Sequence, residues 1–385
     1  MRRRPARTLT FSAVPRAFWL LFLPAAGYQL LALFAGLLQF GRQFTRNTTV
    51  SPGSAPPVSV LKPLRGLDPN TYPAFVSQAQ QNYPEFELLF GVREVTDPAV
   101  PEVRRLQAQF PHVSIQLIVG APETPNGKVG MLMELARHAR HPVWVVNDSD
   151  IKVTPTYLST ITAPLSQASI GVVTCPYRVR AHTLPAFWEA LGIATDFMPS
   201  TLVAQLVGVR EFGFGSTLAF RSSDLSATGG FAAIASYLAD DYQLARRITG
   251  LGKRAIVSTY VVETSLGEAT WTGIWLHQLR WARTIRLTKG AGFAGLPVTH
   301  AGFWILLAAC TGAYLPAVIL AVLRVASALV TGSLVLRSLP ASAFCWLTPL
   351  WDLYSFAVWL ASYAGREVRW RDQRLRIDAK GRIIS

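Results

Sequence analysis

Acidic residues are scarce in this 385-residue chain: 22 Asp and Glu stand against 37 Lys and Arg, for a net charge of +15, and charged residues make up only 15% of the whole. Cysteine is scarcer still. Cys175, Cys310 and Cys345 form neither a metal-ligand spacing nor an even disulfide framework, which fits a reducing compartment. No internal repeat and no long low-complexity tract is present. The middle of the chain also lacks a basic helix or an aromatic-studded strand, so nucleic acid is not an expected partner.

Apolar residues, by contrast, make up 50% of the chain. Residues 17 to 40, AFWLLFLPAAGYQLLALFAGLLQF, carry no charge over a length that meets the roughly 20 residues a bilayer crossing needs. That length exceeds the apolar core of about 7 to 15 residues in a cleaved signal peptide. Two further apolar stretches, 302–323 and 341–364, predict two to three membrane segments late in the chain. The run between them, Val325 to Leu336, is too short for a regular span, though it can lie in the interface or complete a tilted one.

A charge of +15 suits a protein on an anionic leaflet or one that handles a phosphorylated substrate. Basic flanks that only orient helices account for part of it. Arg2, Arg3, Arg4, Arg7 and Arg16 precede or begin the first apolar stretch, and residues 366 to 385 hold seven Lys and Arg against three acids. By the positive-inside rule each flank belongs in the cytoplasm, yet one span cannot place both there. The expected organisation is a basic arm and anchor (1–46), a catalytic domain (47–296), C-terminal membrane segments (297–365) and a basic cytoplasmic tail (366–385).

After the Pro-rich linker NTTVSPGSAPP (47–57), apolar strand-like runs at 58–64, 86–92, 113–120, 143–150 and 170–177 alternate with helix-length stretches at 72–81, 98–109 and 128–138. That alternation predicts βαβ units on a largely parallel, Rossmann-like α/β sheet. In such sheets ligands bind beyond the carboxyl ends of the strands. The run VWVVNDSD therefore brings Asp148 and Asp150 to a place where a ligand sits.

Five groups of residues carry candidate chemistry. Asp148 and Asp150 offer hard oxygens suited to Mg²⁺ or Mn²⁺ shared with substrate phosphates, while a turn or helix cap explains the same tripeptide. Asp240 and Asp241 open a helical pattern; one can cap it, and the other is free to act as a general base for an acceptor hydroxyl. His277, Gln278, Arg280 and Trp281 combine a phosphate-matching guanidinium with a flat aromatic face, or form an interfacial Arg/Trp belt. Lys128 reaches a phosphate or is a solvated lysine at a helix start, and the FGFGS stretch (212–216) is an acceptor-side loop or a plain turn.

Together VSVLKPLRGLDPN (58–70), FELLFGV with DPAV (86–100), NDSDIKVTP (147–155), ADDYQLA (239–245) and HQLRWAR (277–283) resemble, in order, the motifs of the ceramide glucosyltransferase family and its bacterial relatives in hopanoid lipid synthesis. That resemblance implies a GT-A fold with flanking transmembrane helices and inverting transfer from a UDP-sugar to a lipid hydroxyl. By position Glu94 matches the carboxylate that binds the donor's uridine, where the family usually has Asp. Asp148 and Asp150 match the pair that holds Mg²⁺ or Mn²⁺ on the donor diphosphate. Asp241 matches the catalytic base.

In the family's (Gln or Arg)-x-x-Arg-Trp motif the first position is His277 here, and Arg280 neutralises the leaving diphosphate beside Trp281. The histidine, with SFAVWLASYAGREVRW near the end, is closer to the hopanoid-associated branch, whose implied donor is UDP-N-acetylglucosamine. Nucleotide sugars are cytoplasmic, so the resemblance implies a multi-pass bacterial inner-membrane protein with its catalytic domain facing the cytoplasm. Three other readings compete: a polyprenyl-phosphate sugar transferase, a processive polysaccharide synthase, for which two or three late spans are too few, and a noncatalytic membrane scaffold.

Overall fold

A computed structural model describes residues 16–45, 55–68, 70–370 and 373–384. The arginines at 2, 3, 4 and 7 and most of the 47–57 linker lie outside the described residues. Nine strands build the sheets of the central part: β1 (Val58–Pro63), β2 (Phe86–Val92), β3 (Ser114–Val119), β4 (Val143–Val146), β5 (Ile170–Thr174), β6 (Tyr177–Arg180), β7 (Leu218–Arg221), β8 (Arg254–Val257) and β9 (Val262–Ser265).

Seven of them form one sheet in the order β3-β2-β1-β4-β7-β5-β8. The pairs β1/β2, β2/β3, β1/β4 and β5/β8 are parallel, and β7 runs antiparallel between β4 and β5. Strands buried on both faces read as near-continuous apolar runs, which is why VWVV carries no alternation and why even Ser59 in VSVL is buried. Within them the period of two still sorts side chains: Val58 and Val60 join Phe75, Phe90 and Leu106 on one face, and Leu61 joins Leu89, Leu132 and Phe220 on the other. β6 and β9 pair separately, in parallel.

β4 ends at Val146, four residues short of the expected boundary, because Asp148 donates its N–H to the Gly215 carbonyl at 3.1 Å instead of continuing the ladder. The Asp-x-Asp therefore lies in the turn beyond the strand.

Among the described residues two helical stretches are long and apolar enough to cross a membrane, Phe22–Thr45 and Tyr314–Val335; Gly290–Val298 with Ala301–Cys310, bent by 44°, would count as a third. The expected 302–323 span is broken at Gly312, which adopts φ 78°. The helix Tyr314–Ala328 instead continues through a wide turn at Leu329–Val335, so the short run after Arg324 completes that span. Residues 341–364 are also divided, and their longest helix, Thr348–Ser362, has 15 residues, short of a regular crossing.

The tail does not trail away. β10 (Glu367–Trp370) and β11 (Gln373–Arg376) form a hairpin, and Ile383 N–H donates to the Ser236 carbonyl at 2.7 Å while Leu238 N–H donates to Gly381 at 3.2 Å. Val368, Leu375, Ile377 and Ile383 close over Leu238. A segment hydrogen-bonded to residues 236–238 lies on the same side of any membrane as the sheet.

Candidate active site

The loops beyond β1 and β4 meet the helices Gly127–His138 and Asp240–Thr249 at one edge of the sheet. At the end of β1, Lys62 is fully buried, and its ammonium donates to Asn147 Oδ1 at 2.6 Å and to the Asp148 carbonyl at 2.9 Å. Burial lowers its pKa to about 7, against the pull of Asp150 and Asp148. It fastens the carboxylate turn from beneath.

Lys128 is held at the start of its helix by Asn126, whose side chain caps the Lys128 and Val129 N–H groups. Its Nζ lies 2.8 Å from Asp148 Oδ1 and 3.4 Å from Asp240 Oδ2. Burial disfavours that charge, but Asp148 and Asp240 outweigh it and raise the lysine pKa. The lysine thus bridges the two acidic motifs.

Gly215 bridges them a second time. Its carbonyl accepts from Asp148 N–H, and its own N–H donates to Asp241 Oδ2 at 3.1 Å. Asp241 Oδ1 accepts from Tyr242 N–H, and the helix has no side-chain capping bond, so neither acid serves as its N-cap. Burial, then the neighbouring Asp240, raises the Asp241 carboxyl to about 6, with Lys128 opposing. A Cβ on Gly215 would stand 2.8 Å from Asp148 Oδ2. Gly215→Ala is expected to lower turnover by about tenfold or more through that displacement, with the melting temperature nearly unchanged; equal turnover would show that the Asp148 position is not critical.

Asp150 is held from β9: its Oδ2 accepts from the Thr264 hydroxyl and from Ser265 N–H at 3.2 Å. Burial and then Asp148 raise its pKa despite these bonds. Asp148 is 46% exposed and leaves Oδ2 without a hydrogen bond among the described residues. Among the described residues no group of three or more His, Cys, Asp or Glu is gathered for a metal. Two hard carboxylates at an open cleft fit a Mg²⁺ or Mn²⁺ ion whose remaining ligands come from phosphates.

The helix Trp271–Thr288 supplies the remaining residues. His277 and Trp281, one turn apart, have ring centroids 4.7 Å from each other, and Trp281 packs 5.4 Å from Phe197. Burial lowers the pKa of Arg280, opposed first by Asp241 and then by Glu189, Asp148 and Asp240. It makes no ion pair among the described residues.

The structure brings Asp148, Asp150, Lys128 and Asp241 together and sets Arg280 in their field. Glu94 is not joined to them. It is exposed in the loop after β2, where its carboxylate accepts only the Thr96 hydroxyl, at 3.5 Å. Asp97 in the same loop does the binding work, accepting Gly66 N–H at 3.0 Å and Ala99 N–H at 2.9 Å. Lys62 and Thr264 escaped the sequence reading, while Gly215 falls in the FGFGS stretch and turns out to tie the two acidic motifs. For Lys62 the available signal was a lone charge inside a buried strand.

A family model described as Glycosyl transferase family 21 matches residues 17–383. Ceramide glucosyltransferase 1 of Caenorhabditis elegans is 30% identical over 231 residues, 59% of this chain and 49% of that protein. Ceramide glucosyltransferase 3 of the same organism is 27% identical over 234 residues, 60% of this chain and 50% of that one. The chain thus spans about half the length of the curated relatives it matches. Among solved structures, a mannosyltransferase from Pyrobaculum calidifontis in complex with GDP-Man and Mn²⁺ is similar at a TM-score of 0.50 and 20% identity, covering 89% of this chain and 99% of that one. That likeness carries the GT-A fold.

Proposed function

The chain belongs to glycosyl transferase family 21, and from that premise we propose that it is a membrane-bound inverting glycosyltransferase that moves a sugar from a UDP-sugar, UDP-glucose or UDP-N-acetylglucosamine, to a hydroxyl of a lipid, a ceramide or a hopanoid. The observation that carries the reading is the double tie of Asp148 to the Asp240–Asp241 pair through Lys128 and Gly215. It sets a phosphate-side carboxylate and a basic carboxylate around one cleft.

In this reading Asp241 takes the proton from the attacking hydroxyl. Arg280 and Lys128 face the negative charge that builds on the leaving diphosphate. A divalent ion, Mg²⁺ or Mn²⁺, held by Asp148 and Asp150, would add Lewis-acid neutralisation of the same charge. Lys62 and Thr264 keep the two carboxylates aimed. Asp241 must be ionised to act as a base, and its pKa is raised to about 6. Activity is therefore expected to fall as pH drops through about 6, well above the ordinary carboxylate range; a rate that stays flat down to pH 5 would remove Asp241 from this role.

The sheet and the tail lie on the side of the membrane where nucleotide sugars are found, the cytoplasm. The reading is tested by lipid mass spectrometry on membranes carrying the protein, given both UDP-sugars with a ceramide and a bacteriohopanepolyol. The expected result is a hexosylated ceramide or an N-acetylhexosaminyl hopanoid. Neither product from folded protein with metal present would overturn it.

A further inference from the structure

The helix Leu184–Gly192, LPAFWEALG, is apolar except for Glu189, which is only 1% exposed. It packs against the helices Trp271–Thr288, Leu339–Phe344 and Thr348–Ser362, so it lies at the seam between the catalytic sheet and the apolar helices.

Glu189 has no lysine or arginine in an ion pair with it among the described residues. Its Oε1 instead receives His277 Nδ1 at 2.5 Å and Gln278 Nε2 at 2.8 Å. A buried carboxylate without a fixed cation is costly, and an apolar side chain of the same size would pack this position at lower cost. Its value must lie in what it orients. With Nδ1–H donating to Glu189, the ring has only Nε2 left for another partner, one turn from Trp281.

Two other features lie on the same seam. The Tyr354 ring is wedged 6.0 Å from Trp188 and 5.8 Å from Trp275, and its hydroxyl is buried without a hydrogen-bond partner among the described residues. Trp281, beside His277, packs 5.4 Å from Phe197, whose ring stands 5.8 Å from that of Tyr177.

We infer that Glu189 is a positioning residue of the lipid-acceptor subsite, locking His277 and Gln278 so that His277 Nε2 and the Tyr354 hydroxyl meet the polar, hydroxyl-bearing headgroup on its way to Asp241. This rests on the reading that the chain glycosylates a lipid hydroxyl. Glu189 touches neither sugar nor phosphate and acts through its neighbours.

The test is steady-state kinetics on the full chain in phosphatidylcholine vesicles containing ceramide or bacteriohopanepolyol, with hydrolysis of each UDP-sugar in acceptor-free vesicles measured alongside. Glu189→Ala is expected to raise the acceptor KM about tenfold or more, with the donor KM and acceptor-free hydrolysis within about twofold of wild type. Glu189→Gln, whose amide oxygen still accepts from Nδ1–H, should recover most of that loss. Because the effect passes through His277, the Glu189→Ala/His277→Ala pair should be no worse than His277→Ala alone.

Additive losses, or a donor KM that rises in step, would overturn the inference. Glu189→Met guards against misfolding: it should hold the wild-type melting temperature and still show the acceptor defect, and an intact acceptor KM in it would also overturn the inference. A wild-type protein that glycosylates neither lipid would sink the parent reading first, and this one with it.

Discussion

Asp241→Asn is expected to lower kcat for sugar transfer by about 10²- to 10⁴-fold, the usual contribution of a positioned general base, and to leave the protein at least as stable as before. The stability half follows from the sign of the pKa shift. Burial and Asp240 raise the folded carboxyl to about 6, above its ordinary value, so the native state holds that proton more tightly than the unfolded chain does. Stability from this group is complete below the ordinary carboxylate range and is lost as pH rises to about 6. At neutral pH the ionised carboxylate is therefore a cost, and asparagine removes it.

Asp240→Asn should behave differently, because Asp240 is the partner of Lys128 at 3.4 Å and its loss shifts a lysine rather than deleting a base. Turnover with a radiolabelled donor, together with melting temperatures at pH 5 and 7.5, separates the two. Turnover of Asp241→Asn within threefold of wild type would transfer the base to another group.

The largest stability effect is expected in the apolar helices, at Arg324 and Asp352. Both are buried, and the guanidinium grips the carboxylate with two bonds, Nε to Oδ2 at 2.9 Å and NH2 to Oδ1 at 2.7 Å. NH1 reaches the Thr195 carbonyl at 2.7 Å, and Asp352 Oδ2 also accepts Gly302 N–H at 2.9 Å. One pair thus ties four chain segments. Removing either partner leaves an uncompensated buried charge, so Arg324→Leu or Asp352→Leu is expected to cost about 3 to 5 kcal/mol.

The double variant should recover much of that loss, though not all, since Thr195 and Gly302 are each left with an unpaired backbone group at about 1 to 3 kcal/mol. Thermal unfolding in detergent micelles reads the difference. If the double variant loses the sum of the two single losses, the pair is not a coupled unit.

Arg324 shows how the fold chooses between readings that the sequence leaves open. In the sequence it separates the apolar stretch 302–323 from the short run Val325 to Leu336, which can lie in the interface or complete a tilted span. In the fold it sits within one, because Asp352, 28 residues later, comes to its side. Glu94 takes its expected role from motif order alone: the loop after β2 holds its carboxylate in solvent, and Asp97 makes that loop's backbone contacts. The tail read as a basic extension, yet its alternating Val368, Leu375, Ile377 and Ile383 found an apolar partner in Leu238.

The sequence by itself determined the elements whose signal is local. Apolar runs at helix-length spacing made the parallel β1 to β4, acidic residues began where β4 leaves the sheet, and the first apolar stretch made a helix long enough to cross a membrane. Each depends on residues within about a dozen positions of one another, where periodicity and length operate. Tertiary structure alone decided that β7 would enter antiparallel between β4 and β5, carrying Gly215 against Asp148 and Asp241. It also decided that Lys128 would join two acidic motifs and that Glu189 would meet His277, 88 residues away. Such pairings are set by which surfaces pack once the chain has collapsed, and no local pattern encodes them.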